Sequence, residues 1–329
     1  MLDPVSLFTW EPHIDQRRVH ADTLVVTLGS FLDAGHAQRL LDTQLLDHLP
    51  NHVLGRFDAD QVIDYSGRRP EIVFDRDHFA DYAKPEIALH LVTDKEGRDF
   101  LLLNGPEPSF QWERMAAGIG YVIDQLGVKN TILTQSIPAP APHTRPVAVT
   151  RYASDASMVA DQDAMMGTFT LRASFPAVLT MRLGETEHPV TGLLAHVPHY
   201  IAEADYPDAA GSLMAALREA TSLSLPTEGF DLAGGLVRAQ IDQQVQASEE
   251  LTEMVSNLEA NYERFITERS LRTARTASLP SADEIGAQFE DFLAGLGEDE
   301  PGTPGTDGPQ AGPGDAPTAG EDGSGPTVA

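Results

Sequence analysis

The heptapeptide TLVVTLG at residues 23–29 is the part of the sequence that most clearly indicates a fold. It is short, mostly apolar and rich in β-branched side chains, which is typical of a strand buried on both faces of a mainly parallel sheet. Leucines then recur at helical spacing through residues 34–49, and Pro50 ends that predicted helix. A second strand is predicted at residues 52–57. This order of strand, helix and strand predicts the α/β class.

The same alternation continues downstream. The predicted elements are, in order, a hairpin of strands 87–92 and 100–103, a helix at 112–126, strands at 131–133 and 147–149, a helix at 177–183, a strand at 190–197 and a helix at 207–217. Four prolines within residues 138–146 exclude helix and central strand, and predict a stiff loop at the sheet rim. A three-layer α/β/α sandwich is therefore predicted over residues 23–227, after an N-terminal segment of residues 1–22.

The remainder of the chain has a different character. A heptad-like rhythm through residues 236–265, interrupted at Ser248, predicts a long helix, and residues 281–296 predict a final one. Residues 228–297 are thus a predicted C-terminal helical region. Residues 298–329 are rich in Gly and Pro, with acidic side chains but no Lys or Arg, and they lack the apolar surface that folding requires. They are predicted to form a disordered acidic tail.

Composition excludes several classes of function. The 329 residues contain 50 acidic and 22 basic side chains, a formal net charge of −28, so neither nucleic acid nor an anionic membrane is an expected partner. The absence of cysteine excludes disulfides, thiolate metal sites and a thiol nucleophile. No long apolar run or leader pattern is found, which predicts a cytoplasmic protein. Familiar nucleotide, hydrolase and zinc signatures are absent too, so no cofactor or metal is predicted.

Two segments supply candidate ligand-binding residues. Gly29, Asp33 and Gly35 lie in the loop between the first strand and its helix, where open α/β sheets bind ligands, although Asp33 could instead cap the helix. Asp64 closes an acidic cluster with Asp58 and Asp60 that could hold a hard cation, but its spacing does not fit a calcium loop. Arg68 and Arg69 follow, and are expected to pair with these carboxylates or with those of a partner.

Candidate catalytic residues follow predicted strands. His143 and Arg145 lie in the proline-rich loop, His199 follows the strand at 190–197, and Glu107 lies in a Gly-Pro turn before a helix. His143 and His199 could form an acid–base pair or ligate zinc, with Glu107 as a third group. The alternative is structural, because His and Arg in stiff loops also hydrogen-bond neighbouring backbone carbonyls.

Several motifs resemble those of the proteasome assembly chaperone 2 family in their residues and in their order along the chain. These motifs span residues 20–295, and the most specific are Pro142-His143-Thr144-Arg145-Pro146 and Val197-Pro198-His199-Tyr200. The resemblance implies a phosphorylase/hydrolase-like sandwich with added C-terminal helices, and a tendency to self-associate. Eukaryotic relatives are chaperones that bind proteasome α subunits.

Two hypotheses result. The first is a non-enzymatic, assembly-chaperone-like interaction protein that forms a homo-oligomer and binds another protein, such as a proteasome-related client. The alternative is a hydrolase or phosphorylase acting on a small molecule, with His143 or His199 as general acid/base, Arg145 as anion clamp and Glu107 as carboxylate partner.

Overall fold

The computed structural model describes residues 2–29, 33–160, 168 and 170–277. The strands of this part of the chain are β1 (Phe8–Trp10), β2 (Thr23–Leu28), β3 (Asn51–Phe57), β4 (Val73–Asp75), β5 (His78–Ala80), β6 (Ile87–Thr93), β7 (Asp99–Gly105), β8 (Asn130–Ala139), β9 (Val149–Ala153) and β10 (Val190–Pro198). Its α-helices are α1 (Ala37–His48), α2 (Ala59–Val62), α3 (Trp112–Leu126), α4 (Phe175–Glu185), α5 (Pro207–Thr221), α6 (Phe230–Gln246) and α7 (Glu249–Ala277).

Eight of these strands form one mixed sheet in the order β1-β3-β6-β7-β2-β8-β10-β9. The four central strands β7, β2, β8 and β10 are parallel, and the strands on both sides of them are antiparallel. All six residues of β2 are buried, as its apolar sequence predicts for a strand in the middle of a parallel sheet. The carboxyl ends of the four parallel strands therefore share one edge of the sheet.

Helices cover both faces of the sheet, which confirms the predicted three-layer sandwich. On one face, α3 and α4 bury Met115, Ile119 and Phe175 against it. On the other face, Leu41 and Leu45 of α1 and Leu213 of α5 form a second core. Helix α3 begins and ends at the predicted residues. It ends there because Gly127 adopts a left-handed conformation (φ 66°) that terminates the helix.

Some details differ from the sequence-based prediction. Residues 8–10 lie before the predicted start of the sandwich, yet they form edge strand β1. The long helix predicted over residues 236–265 is two helices, α6 and α7. They separate at Ser248, whose hydroxyl accepts the backbone N–H of Leu251 and so caps the first turn of α7. The predicted helix at 281–296 and the tail at 298–329 lie outside the described residues.

A separate two-stranded hairpin, β4–β5, lies outside the main sheet. Arg76 in its turn has a left-handed backbone conformation (φ 57°), and Ala83 donates its backbone N–H to the carbonyl of Glu71 at its base. Residues Met1–Thr273 form one compact unit. Within the described residues, no helix is long and apolar enough to span a membrane.

Candidate functional site

A cavity of about 440 Å³ opens at the carboxyl ends of β2 and β7. These adjacent strands lead to helices on opposite faces of the sheet, since α1 follows β2 and α3 follows β7. The two connections diverge at this point and leave a crevice, which is where open α/β sheets bind ligands. Thr27 and Asn104 are paired across the two strands and both line the cavity, together with Gly29, Asp33 and Asp42.

Asp42 is the main acidic group of this cavity. It lies on the face of α1 that is packed on the sheet, one residue after the buried Leu41. Its carboxylate accepts a hydrogen bond of 2.6 Å from the hydroxyl of Thr27, and the side chain of Asn104 also hydrogen-bonds it. Burial raises the pKa of Asp42 well above its usual range, because these neutral partners offset the desolvation of the charged form only in part.

Asp33 lines the same cavity and also binds the start of α1. Its carboxylate accepts the backbone N–H of Gln38 at 2.7 Å, in the first turn of α1. Burial raises its pKa, although the hydrogen bonds from the backbone of α1 oppose that shift. Gly35 has φ 67°, and a Cβ there would lie 2.9 Å from Cβ of Tyr206, so the close packing of that turn requires glycine.

Two basic side chains at the rim of this cavity, His36 and Arg39, share one acidic partner. His36 places Nδ1 2.7 Å from Oδ1 of Asp205, and the guanidinium of Arg39 donates to the same oxygen. Arg39 holds the pKa of Asp205 below its usual range. His36 and Arg39 also line the cavity and oppose the raised pKa of Asp33, whereas Asp42 hydrogen-bonds the neutral side chains of Thr27 and Asn104.

Asp42→Asn is expected to stabilise the protein at neutral pH. Because the pKa of Asp42 is raised in the folded state, ionising this carboxyl costs stability, and the cost is absent below the unfolded-state pKa of about 3.9 and grows as pH rises. The variant should therefore melt a few degrees above the parent at pH 8 and closer to it at pH 5. Thermal unfolding at both pH values measures this, and a variant that melts below the parent at pH 8 would contradict it.

His143 holds the proline-rich loop to two other elements. It is only 2% exposed. Its Nδ1 lies 2.6 Å from the hydroxyl of Tyr200, which also accepts the backbone N–H of His143 at 2.8 Å, and its Nε2 lies 3.0 Å from Oδ1 of Asp242 on α6. A neutral imidazole with the proton on Nε2 satisfies all three interactions, since Nδ1 then accepts from Tyr200 and Nε2–H donates to Asp242.

The neighbouring candidates have different surroundings. His199 is exposed, and its ring meets Tyr200 edge-on at 5.4 Å. Arg145 forms ion pairs with Glu259 at 3.2 Å and Glu263 at 3.0 Å, both on α7. The structure therefore brings His143 and His199 to the same tyrosine, while Arg145 connects the loop to α7.

Glu107 lies in another part of the fold. Its carboxylate accepts the backbone N–H of Phe175 at 2.7 Å, at the start of α4, and lies 3.9 Å from the guanidinium of Arg68. Arg68 also donates to the backbone carbonyl of Glu107 at 2.9 Å, so it pairs here and not with the acidic cluster expected from the sequence. Asp64 accepts from the backbone and hydroxyl of Ser66, which lower its pKa. Arg69 is exposed. The catalytic and ligand-binding roles of these residues stay predictions.

Sequence reasoning missed Asp42, Asn104, Tyr200 and Asp242 as site residues. A signal existed for Asp42, because a carboxylate beside Leu41 and three residues before Leu45 lies on the apolar side of a predicted helix. The other three residues can be recognised as site residues only from their tertiary contacts.

An exposed apolar surface, here named the aromatic hairpin, comprises residues 72–82. Phe74 of β4 and Phe79 of β5 are 60% and 68% exposed, with ring centroids 5.1 Å apart. Ile72, Val73 and Tyr82 are about half exposed as well. The hairpin thus presents a group of large apolar side chains to solvent.

Comparisons with known proteins converge on one family. The PAC2 family sequence model matches residues 27–245. A Mycobacterium tuberculosis protein of unknown function is 34% identical, with a TM-score of 0.76 over 81% of this chain and 92% of its own. A Corynebacterium glutamicum protein of unknown function is 30% identical, with a TM-score of 0.72 over 78% of this chain and 97% of its own.

A more distant structure shares the fold. The Mycobacterium tuberculosis proteasome-assembly chaperone homologue is 22% identical, with a TM-score of 0.64 over 71% of this chain and 99% of its own. None of the curated proteins matches this chain.

Proposed function

Because this chain belongs to the PAC2 family, we propose that it is a non-enzymatic, chaperone-like protein that binds a partner protein through the aromatic hairpin. The client proposed is a proteasome-related subunit. Support for this choice comes from the chain's fold, which it shares with a proteasome-assembly chaperone homologue. A cytoplasmic location and homo-oligomerisation stay predictions.

The observation that carries the proposal is the exposure of Phe74 and Phe79. Large aromatic side chains gathered at one exposed place are typical of protein interfaces, where they supply most of the binding energy. Both strands of the hairpin have only three residues, so the main chain contributes little binding surface and the side chains dominate.

The charge around the hairpin defines the partner's chemistry. Residues 71–86 carry five carboxylates against two basic side chains, Arg76 and Lys84, and the whole chain has a net charge of −28. Repulsion between such surfaces disfavours a second copy of this chain at the hairpin. The surface fits a client that offers an apolar groove bordered by Lys or Arg.

The test uses purified proteasome α subunits from the protein's own host. Native mass spectrometry of the full chain mixed with these subunits should show a complex of fixed stoichiometry that weakens as salt rises. Absence of any complex at micromolar concentrations of both proteins would contradict the proposed client. A homo-oligomer held together by the hairpin would contradict the proposal that this surface binds a different protein.

A further inference from the structure

We propose that the cavity at the carboxyl ends of β2 and β7 binds a primary alkylammonium group, with Asp42 as its counter-ion and Asp33 as a second carboxylate. This site is separate from the aromatic hairpin and goes beyond the proposed chaperone-like function. Two sources share this chemistry, namely a small free amine and the lysine side chain of a bound protein.

The polar groups of the cavity are arranged for a cation. Asp42 is held by two neutral groups, the hydroxyl of Thr27 and the side chain of Asn104. Arg39 and His36 line the rim and pair with Asp205, and they also act electrostatically on Asp33, so Asp42 is the principal counter-ion of the proposed site. A carboxylate withdrawn from water is stabilised by an opposite charge more strongly than by neutral donors. An ammonium group supplies that charge together with three N–H donors.

The rest of the lining fits an alkyl chain. Ala34, Pro106, Pro138 and Ala202 add apolar surface to the cavity, and its volume of about 440 Å³ is in the range of small-molecule sites. An ammonium head with a short alkyl chain complements both parts of this lining. A bare metal ion fits less well, because no cluster of three His, Asp or Glu side chains able to hold one occurs within the described residues.

The cavity also has the location of a ligand site. It lies where the connections after β2 and β7 diverge. Thr27 and Asn104, which are paired across these two strands, form its floor. Both residues belong to hydrogen-bonded central strands, and Asp42 is joined to the same floor through Thr27. The groups that would bind the cation are therefore in place before it arrives, which lowers the entropic cost of binding.

The experiment is a titration of the full chain with n-butylamine and with Nα-acetyl-lysine methylamide, followed by isothermal calorimetry in 150 mM salt. Both probes should bind at one site, and 1-butanol, which has the same chain without the charge, should not. Asp42→Asn should weaken both amines at least tenfold. This variant is expected to be no less stable than the parent, so loss of binding will not reflect unfolding.

The matched control is Asp22→Asn. It removes the same charge at the opposite edge of the sheet, where Asp22 pairs with Lys129 at 2.9 Å, and it should leave amine binding unchanged. Tighter binding of the lysine derivative assigns the site to a partner's lysine, and tighter binding of butylamine assigns it to a free amine. Equal binding by the parent, Asp42→Asn and Asp22→Asn, or no binding at all, would overturn the proposal.

Discussion

Replacing Phe74 and Phe79 together by serine is expected to weaken binding of the partner protein by roughly 10³-fold. Both rings are mostly exposed in the free protein and contact each other, so a partner docked on the hairpin would bury them together. An aromatic anchor at the centre of an interface contributes about 2 kcal/mol or more, and two of them correspond to a loss of roughly 10³-fold in affinity. Calorimetric titration of the double variant with the α subunits measures this loss.

A second exposed apolar pair provides the control. Leu232 and Leu236 of α6 are 73% and 63% exposed, and their double replacement by serine removes a comparable apolar surface elsewhere. The leucine variant should bind the partner as the parent does. Both variants should unfold near the parent's temperature, because neither pair is buried. If the phenylalanine variant bound with parental affinity, the hairpin would not be the docking surface.

Glu107→Ala is expected to cause the largest loss of stability among the candidate site residues. The substitution leaves the backbone N–H of Phe175 without its acceptor in a buried position, and removes the carboxylate that faces Arg68. A buried polar group that loses its charged partner destabilises a protein by about 3 kcal/mol. Urea denaturation of parent and variant measures the difference in the free energy of unfolding.

Two further variants separate this effect from a general change in charge. Glu107→Gln keeps an oxygen that can accept from Phe175, so it should recover most of the lost stability. Glu113 pairs with Arg182 at the surface, and Glu113→Ala should change stability little because exposed ion pairs contribute little. Equal effects of Glu107→Ala and Glu113→Ala would contradict the structural role of Glu107.

Much of the fold follows from local sequence. The apolar run of β2 indicates a buried central strand, and Gly127 marks the end of α3, because each signal depends on a few neighbouring residues. Edge strand β1 and the short hairpin β4–β5 could not be predicted in this way. Their three-residue strands are too short for a periodic pattern, and partner strands position them.

The candidate site was less predictable. Motif reasoning found His143 and the segment around His199, and the structure does bring these segments together, since the parallel pairing of β8 with β10 places their ends side by side. It could not show that Tyr200, and not His199, faces His143, because the short helical turn at His199–Ile201 determines which side chain points inward. The pairing of Thr27 with Asn104 likewise depends on strand register, which no local pattern encodes.

The most direct test of partner binding through the aromatic hairpin is hydrogen–deuterium exchange of the full chain, alone and in complex with the α subunits. Slower amide exchange in the complex is expected at residues 72–82 of the hairpin. Unchanged exchange in the hairpin, with protection elsewhere on the chain, would contradict the account.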